Sequence, residues 1–281
     1  MSRAVSSLEK EASYKSDDHI ALLLLPTLFR LLLRIPFFRW IFTKRLPAKG
    51  IYEYIIARTK YIDGVFREAI ACGFGQILIF GAGFDTRALR LGRGADTLVF
   101  ELDAPMTQNA KIAQYTRRGL MVPPSLVFVP VDFERDSLST RLEESGFDRN
   151  KRSLFILEGV LMYLRPESVD QTFRVIQSFA VKGSEVVFDY VYASVLRGDG
   201  VYYGERGMAE SVVKVGEKWL FGIEKGGIEN FLANYGLRLV DHEDSSGLEE
   251  MYFQGHRRGA LSGEAIGLIN GTHCLVRAVR E

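Results

Sequence analysis

Short apolar runs alternate with amphipathic stretches through the middle of this chain of 281 residues. Unbroken apolar runs between turn-forming residues are typical of strands that are buried on both faces. Apolar residues that recur three and four positions apart between those runs indicate helices instead. The pattern predicts strands at residues 77–80, 97–101, 126–131, 153–157 and 185–190, and helices at 50–73, 105–119, 137–145 and 166–181.

The alternation changes towards the end of the chain. A helix is predicted at 228–235, and strands follow at 237–242 and 272–279 with no helix of full length between them. Strands that alternate with helices form a parallel sheet through right-handed crossovers, and the final pair suits an edge with one antiparallel strand. The sequence therefore predicts an α/β fold with a doubly wound, seven-stranded, mostly parallel sheet.

We expect a single domain over residues 1–281, because no linker, repeat or low-complexity run divides the chain. Residues up to about 50 are predicted to form an N-terminal helical lid. Residues from about 191 to 225 contain glycines and aromatic residues without clear periodicity, so we expect a substrate-facing insertion there.

Residues 20–42 are predominantly apolar. Their longest charge-free run, 20–29, is well short of the roughly 20 residues that a membrane-spanning helix needs. Pro26 and Pro36 interrupt the segment, which predicts two short apolar helices. Such helices can pack as a lid over a ligand cleft. Basic, apolar helices also suit a membrane surface or a lipophilic substrate, and both interpretations stay open.

The charge and cysteine content argue against several classes of protein. The net charge is +1 and the isoelectric point about 7.7, whereas nucleic-acid-binding proteins usually carry a strong basic excess. The two cysteines, Cys72 and Cys274, are too few for a disulfide framework and lack the spacing of metal ligands. We expect a reduced, cytoplasmic protein that binds neither nucleic acid nor a metal ion.

A glycine turn, Gly81-Ala82-Gly83, follows the first predicted strand, and acidic residues follow the next four strands. In a doubly wound sheet the ligand lies beyond the carboxyl ends of the strands. Glycines let the backbone approach a ligand closely, and carboxylates can accept hydrogen bonds from ribose hydroxyls. The stretch predicts a site for a nucleoside-containing cofactor, with acids at Glu101, Asp103, Asp132, Glu158 and Asp189.

Thr86 occupies the position where a dinucleotide-binding fingerprint has its third glycine. The carboxylates at the strand ends would repel a pyrophosphate but would attract a sulfonium cation attached to ribose and adenine. Both observations disfavour a nicotinamide dinucleotide. An NAD(P)-dependent oxidoreductase and a non-catalytic cofactor-binding protein remain as alternatives.

Several sequence blocks resemble the leucine carboxyl methyltransferase superfamily, which has the class I methyltransferase (Rossmann-like) fold and includes relatives acting on small molecules and polyketides. The blocks occur in the order and spacing of that family over about residues 55–190. They are ART…D at 57–63, GAGFDTR at 81–87, FELDAP at 100–105, PVDF at 130–133 and EGVLMYL at 158–164.

The resemblance implies S-adenosylmethionine as the methyl donor and assigns roles to individual residues. Arg58 would pair with the methionine carboxylate of the cofactor, and Glu158 would lie near its amine and sulfonium. Asp103 would hold the ribose hydroxyls. The remaining expected cofactor contacts are Gly81, Ala82 and Gly83, Glu101, the adenine-flanking Asp132 and Phe133, and a basic N-terminal residue, Lys10 or otherwise Lys15.

The expected reaction is direct, in-line transfer of the methyl group to a carboxylate of a small molecule. A carboxylic acid with a pKa near 4 is already ionised at neutral pH, so no catalytic base is required. A phenol or alcohol acceptor would need a base, for which Asp189 and His242 are the candidates.

The acceptor is expected to be a small molecule, because the chain is shorter than the family's protein-methylating eukaryotic enzyme. It also lacks that enzyme's long insertion between strands three and four. The apolar N-terminal segment and several aromatic residues indicate an apolar acceptor. The aromatic candidates for facing it are Tyr163, Tyr190, Tyr192, Tyr202, Tyr203, Trp219 and Phe221.

Overall fold

Seven strands form one mixed sheet in the computed structural model of the chain, which describes residues 1–92, 96–214, 216–254 and 267–281. The spatial order is β3-β2-β1-β4-β5-β7-β6, where the strands are β1 (Gln76–Phe80), β2 (Leu98–Asp103), β3 (Leu126–Pro130), β4 (Ser153–Leu157), β5 (Glu185–Val191), β6 (Leu237–Glu243) and β7 (His273–Arg280). Strands β1 to β5 pair in parallel, and β7 runs antiparallel to both β5 and β6. The predicted doubly wound, mostly parallel sheet is confirmed.

The described helices precede, connect and follow these strands. They are α1 (Ser2–Ser6), α2 (His19–Leu24), α3 (Thr27–Leu32), α4 (Pro36–Trp40), α5 (Ile51–Ala71), α6 (Arg87–Arg90), α7 (Pro105–Arg117), α8 (Leu138–Glu144), α9 (Pro166–Phe179), α10 (Ala193–Arg197), α11 (Glu205–Lys214), α12 (Ile228–Ala233) and α13 (Ser245–Phe253). A π-helical turn covers Ile41–Arg45, and a 3₁₀ turn covers Leu161–Tyr163.

Both faces of the sheet are covered, which explains the unbroken apolar runs in its strands. Ile77 and Ile79 of β1 face a core formed with α5 and α7. Leu78 and Phe80, which alternate with them, face a second core formed with α8 and α9. Complete burial of each such side chain contributes about 1.5–3 kcal/mol, so both helix layers are held firmly to the sheet.

Three regions contain more helices than the sequence pattern predicts. Residues 20–42 form parts of α2 to α4 and the π-helical turn rather than two helices, because Pro26 and Pro36 each interrupt the chain where a helix begins. The insertion at 191–225 contains α10 and α11, and α13 lies between β6 and β7. The single domain and its lid and insertion boundaries remain predictions.

The strand order reverses between β1 and β4, and doubly wound sheets bind ligands in a crevice at such a reversal, beyond the carboxyl ends of the strands. Gly81 follows β1 with a φ of +58°, which favours glycine. A Cβ atom on Gly81 would lie 2.7 Å from Cγ2 of Val160, in the loop that follows β4. The two loops that border the crevice therefore touch at this glycine.

The N-terminal residues pack on the loop that follows β1. Arg3 donates from Nη2 to the carbonyl oxygen of Phe84 at 2.9 Å, and the Thr86 hydroxyl donates to Oδ1 of Asp18 at 2.6 Å. The same Asp18 oxygen accepts the backbone N–H of Ala21 and so caps α2. These contacts fix the start of the chain beside the crevice.

Candidate functional site

Arg58 joins two carboxylates at the carboxyl edge of the sheet. It projects from α5 one turn after Tyr54, and both side chains donate to Oδ2 of Asp189 in β5, at 2.6 Å from Arg58 Nη1 and 2.9 Å from the Tyr54 hydroxyl. Arg58 Nε lies 3.1 Å from Oε1 of Glu158, the residue that follows β4. Burial alone would lower the pKa of Arg58, but Asp189 and Glu158 raise it above its ordinary value.

A second arginine, Arg87, is completely buried beside this pair. Its Nε donates to Asp63 of α5 at 2.7 Å, and its Nη1 donates to Asp85 and, at 2.6 Å, to Oε2 of Glu158. Asp63 also accepts from Arg90 Nη1 at 2.8 Å. Arg87 therefore ties α5, the loop after β1 and the end of β4 together through charged hydrogen bonds.

The acids at the strand ends suggest an acidic crevice. In the structure, arginines compensate most of the negative charge of these carboxylates. Burial would raise the pKa of Glu158, but Arg87 and Arg58 hold it well below its ordinary value. Four guanidinium groups (+4) and five carboxylates (−5) give a net charge of −1 to this charged cluster. Its members are Arg3, Arg58, Arg87, Arg90, Asp18, Asp63, Asp85, Glu158 and Asp189.

Asp103 is held against the glycine turn. Its Oδ2 accepts the backbone N–H of Gly83, and its Oδ1 accepts the N–H of Ala104 at 2.7 Å. Gly83 has a φ of +47°, and Gly81, Ala82 and Gly83 connect the end of β1 to the segment that carries Arg87. The partly exposed Asp103 carboxylate thus stands at the crevice with a fixed orientation.

Glu101 takes part in a buried ion pair that the strand-end argument does not include. Its Oε2 lies 2.6 Å from Nζ of Lys111 in α7, and both side chains are buried. Burial raises the pKa of Glu101 to about 7, although Lys111 opposes that shift. Its Oε1 is buried without a hydrogen-bond partner among the described residues.

Asp132 and Phe133 follow β3, as predicted. The Asp132 carboxylate is partly exposed, accepts the N–H of Glu134 at 3.0 Å and lies 3.7 Å from Nε of Arg135. The Phe133 ring packs 6.2 Å from that of Phe80, at the end of β1. Because Phe80 directly precedes Gly81, the Phe133 ring provides apolar surface beside the glycine turn.

The N-terminal basic residue that contacts the loop after β1 is Arg3. Lys10 and Lys15 are exposed, whereas Arg3 donates to the Phe84 carbonyl and lies 3.6 Å from Asp18. The local match to the family at Lys10 is weak, and no periodicity in the sequence singles out Arg3. The cofactor role of Lys10 stays a prediction without support from its position.

A histidine that the sequence interpretation did not select, His273, lies beside Arg58 and Asp189. Its ring stacks 4.4 Å from that of Tyr54, and burial lowers its pKa to about 4. His273 begins β7, and an antiparallel strand places its first residue at the edge where parallel strands end. The predicted antiparallel β7 therefore carried the signal needed to find His273.

The two predicted base candidates have other partners. Asp189 accepts from Tyr54 and Arg58 on one oxygen and from the backbone N–H of Gly159 on the other, at 2.5 Å. His242 is half-buried, and its Nε2 lies 3.0 Å from the hydroxyl of Tyr190. Both side chains are thus engaged in holding neighbouring elements.

The aromatic candidates divide between core and site. Tyr190 and Tyr192 are buried, and Tyr192 stacks 4.7 Å from Tyr202. Trp219 meets the His273 ring edge-on at 5.4 Å. The remaining candidates include the exposed Tyr163 and Tyr203 and the partly buried Phe221, which packs on Phe231.

The fold and crevice define the protein as one with the architecture of class I S-adenosylmethionine-dependent methyltransferases. A solved structure described as "a putative methyltransferase from Thermobifida fusca" superposes with a TM-score of 0.61 at 14% identity, covering 100% of this chain and 93% of that one. At this identity the likeness establishes the fold alone.

The chain belongs to the leucine carboxyl methyltransferase family, because the family model matches residues 1–177. It is 34% identical over 196 residues to a Mycolicibacterium smegmatis protein, covering 68% of this chain and 64% of that protein. It is 28% identical to YktD of Bacillus subtilis, covering 76% and 71% respectively. Both carry the name "Putative S-adenosyl-L-methionine-dependent methyltransferase".

The comparisons confirm the predicted family and its fold. The named relatives are methyltransferases whose cofactor is S-adenosylmethionine, as predicted. The match spans just under two thirds of the Mycolicibacterium smegmatis protein. The activity, acceptor and site roles of this chain are therefore argued below from its own residues.

Proposed function

We propose that this protein is an S-adenosylmethionine-dependent O-methyltransferase that methylates a carboxylate of a small molecule. The observation that carries the proposal is the buried pairing of Arg58 with Glu158 at the crevice between β1 and β4. A guanidinium fits a carboxylate, and a carboxylate fits an ammonium or sulfonium group. S-adenosylmethionine carries all three of these groups and supplies an electrophilic methyl.

Buried atoms at the crevice support a fit to this cofactor. Arg58 Nε lies 3.1 Å from Oε1 of Glu158 but does not form an aligned hydrogen bond with it, and Arg87 Nη2 is buried without a hydrogen-bond acceptor among the described residues, although buried donors normally have one. A cofactor carboxylate would supply acceptors to Arg58. The charged cluster carries −1, which complements the net positive charge of a sulfonium amino acid.

The other predicted contacts extend along the carboxyl edge of the sheet. Gly81 and Gly83 give the backbone room for close approach, and Asp103 offers carboxylate oxygens to ribose hydroxyls. Phe133 offers an apolar ring to adenine. These assignments follow the order of the strands, so one extended nucleoside would meet all of them.

The residues around Asp189 suit alignment of an acceptor that is already ionised. An acceptor carboxylic acid with a pKa near 4 needs no base at neutral pH. Asp189 accepts three hydrogen bonds, which suits a role in positioning Tyr54 and Arg58. Alignment and exclusion of water would then provide the acceleration, with alignment supplying up to about 7–11 kcal/mol in favourable cases.

A hydroxyl acceptor is the second candidate function, and His273 is the observation that favours it. His273 stacks on Tyr54 at the carboxyl edge of the sheet, and because burial lowers its pKa to about 4, its imidazole is unprotonated at physiological pH, although the same burial makes it a weak base. Methyl transfer by His273→Asn to panels of carboxylic acids and phenols separates the two functions. Carboxylate methylation should change only a few-fold, whereas base-assisted phenol methylation should fall about 100-fold or more.

Cofactor choice is tested by thermal shift with S-adenosylmethionine, S-adenosylhomocysteine and NADH. A ligand at a hundredfold excess over its Kd stabilises the folded protein by about 2.7 kcal/mol. We expect both sulfur nucleosides, and not NADH, to raise the melting temperature. Stabilisation by NADH alone would reject the proposal in favour of an oxidoreductase.

Asp103→Asn tests the ribose assignment while keeping an acceptor for Gly83. Loss of charge-assisted hydrogen bonds, worth about 1.5–3 kcal/mol, should weaken S-adenosylhomocysteine binding about 10- to 100-fold in calorimetry. Asp199→Asn, at an exposed position in the insertion, is the matched control and should bind normally. Equal affinities for the two variants would refute the assignment. Tight cofactor binding with no methylation of any acid or phenol would favour a non-catalytic binding protein.

A further inference from the structure

A basic, apolar segment near the N-terminus has one face free of the protein core. This apolar platform comprises residues 27–46, which contain α3, α4 and the π-helical turn. Within the described chain, neither α3 nor α4 contains a buried residue. The large apolar side chains that the platform exposes are Leu28, Leu31, Ile35, Phe37, Trp40 and Leu46.

The platform is attached to the rest of the protein and is not merely a frayed end. Leu33 is completely buried in the core that contains α5, and Phe42 packs against the same core. The preceding helix, α2, buries Ile20 and Leu24 there as well. One side of the segment is therefore anchored, and the opposite side presents apolar groups to the surroundings.

The exposed aromatic side chains form a cluster. The Phe37 and Trp40 rings stack at 6.3 Å between centroids, with exposed fractions of 62% and 53%. Contiguous exposed apolar surface of this kind is rare in monomeric proteins outside interaction sites. Tryptophan and phenylalanine on a short amphipathic element are typical of the interface between lipid headgroups and acyl chains.

The charge of the platform identifies the sign of its partner. Its sequence contains five basic residues and no acidic residue. Among the described residues, Lys44 pairs with Glu53, while Arg30, Arg34, Arg39 and Arg45 have no carboxylate partner. A surface that combines exposed apolar rings with unpaired guanidinium groups is complementary to an anionic bilayer.

We propose that the apolar platform binds the surface of an anionic lipid bilayer, with Phe37 and Trp40 inserted at the headgroup level and the arginines on lipid phosphates. Among the residues that the structure describes, none of the helices has the length and hydropathy of a membrane span. The platform lies in the membrane plane instead. This inference is independent of the acceptor of methyl transfer.

Vesicle co-sedimentation of the full chain tests the proposal. We expect binding to vesicles of phosphatidylcholine mixed with phosphatidylglycerol, weaker binding to phosphatidylcholine alone, and loss of the difference at high salt. Phe37→Glu/Trp40→Glu should reduce partitioning at least tenfold. The matched control Met106→Glu/Met121→Glu changes two side chains that are 84% and 76% exposed outside the platform, and should bind normally.

The electrostatic part is tested separately with Arg34→Gln/Arg45→Gln. Each basic residue near an anionic surface strengthens partitioning about fivefold, so the double variant should bind phosphatidylglycerol vesicles about 25-fold more weakly. Unfolding midpoints of all variants establish that they fold. Equal sedimentation of the platform and control variants overturns the proposal. A second outcome also overturns it: the protein does not bind vesicles but dimerises with increasing concentration, and Phe37→Glu/Trp40→Glu abolishes the dimer. The partner of the platform would then be a second copy of the chain.

Discussion

Arg58 illustrates how a single side chain can be oriented by the protein itself. Its guanidinium is fixed by Asp189 on one side and Glu158 on the other, while its Cζ lies 5.4 Å from the centre of the Tyr54 ring. A planar fork held in this way loses little rotamer freedom when it meets a further carboxylate. Lysine offers the same charge but cannot reproduce the fork.

Arg58→Lys should therefore weaken cofactor binding more than it weakens folding. We expect the Kd of S-adenosylhomocysteine, measured by calorimetry, to rise about 10- to 100-fold, as for loss of a charge-assisted hydrogen bond. Arg174→Lys, in an exposed ion pair with Asp170 on α9, is the control and should leave the Kd unchanged. If Arg58→Lys also leaves it unchanged, Arg58 does not contact the cofactor.

Adding a single Cβ atom at Gly81 should lower the free energy of unfolding. Gly81→Ala introduces a side chain at a φ of +58° and places it 2.7 Å from Val160, so we expect a loss of about 2–4 kcal/mol in denaturant unfolding. Gly119→Ala has a similar φ of +61° and open space, and should lose only about 1–2 kcal/mol.

Adding Val160→Ala to Gly81→Ala separates the cost of the backbone conformation at residue 81 from the cost of the contact with Val160. If overlap with Val160 is part of the cost, adding Val160→Ala should recover about 1 kcal/mol or more relative to additivity. Strictly additive effects would mean that the strain lies in the backbone alone.

At the scale of elements, Arg87 is the connection between α5, the loop after β1 and the end of β4. Removing one partner of a buried charge network leaves the others uncompensated. Arg87→Leu should thus cost about 3–5 kcal/mol in the free energy of unfolding, because Asp63, Asp85 and Glu158 each lose a partner. Arg174→Leu on the surface of α9 should leave the midpoint nearly unchanged. Similar midpoints for both would contradict a structural role for Arg87.

The sequence pattern predicts the sheet because each buried strand is an unbroken apolar run with a turn at its end. It locates β4 at 153–157, as observed, and the other strands within a few residues. It does not resolve α2 to α4, since periodicity needs more residues than these short helices contain. The predictable elements are those whose burial is uniform along their length.

The site shows the same division between residues and their partners. Arg58, Asp103 and Glu158 could be selected from motifs, because each lies within a recognisable block. The pairing of Glu101 with Lys111 could not, since an ion pair between a strand and a helix depends on packing rather than spacing. His273 was accessible in principle, once β7 is taken as antiparallel.

For the whole molecule, the small net charge conceals an uneven distribution. The net charge is +1, and the platform of residues 27–46 contributes +5, so the rest of the chain carries −4. Such a distribution gives the molecule a positive side that an anionic surface attracts and a negative remainder that it repels. Electrostatics would therefore orient the protein on a bilayer before the apolar rings insert.

The pH dependence of overall stability tests the burial of His273. Its pKa falls from an ordinary 6.5 to about 4 because burial disfavours the charged ring; Asp189 opposes this shift and Arg58 adds to it. Between those values the unfolded chain binds a proton that the folded protein does not, so the contribution is complete above pH 6.5 and is lost as pH falls towards 4. We expect this histidine to account for about 3 kcal/mol of lost stability over that window.

Denaturant unfolding of His273→Asn measures that contribution against its background. The variant should be less stable than the wild type at pH 7, and the difference in stability should shrink by up to about 3 kcal/mol as pH falls to 4, because only the wild type loses the contribution of His273. The other titrating groups are present in both proteins and cancel in the difference. His19→Asn, at an exposed position, should follow the wild type throughout. A difference that stays constant with pH would mean that His273 titrates near the ordinary histidine pKa of about 6.5, and its imidazole would then be protonated at lower pH and unable to act as a base there.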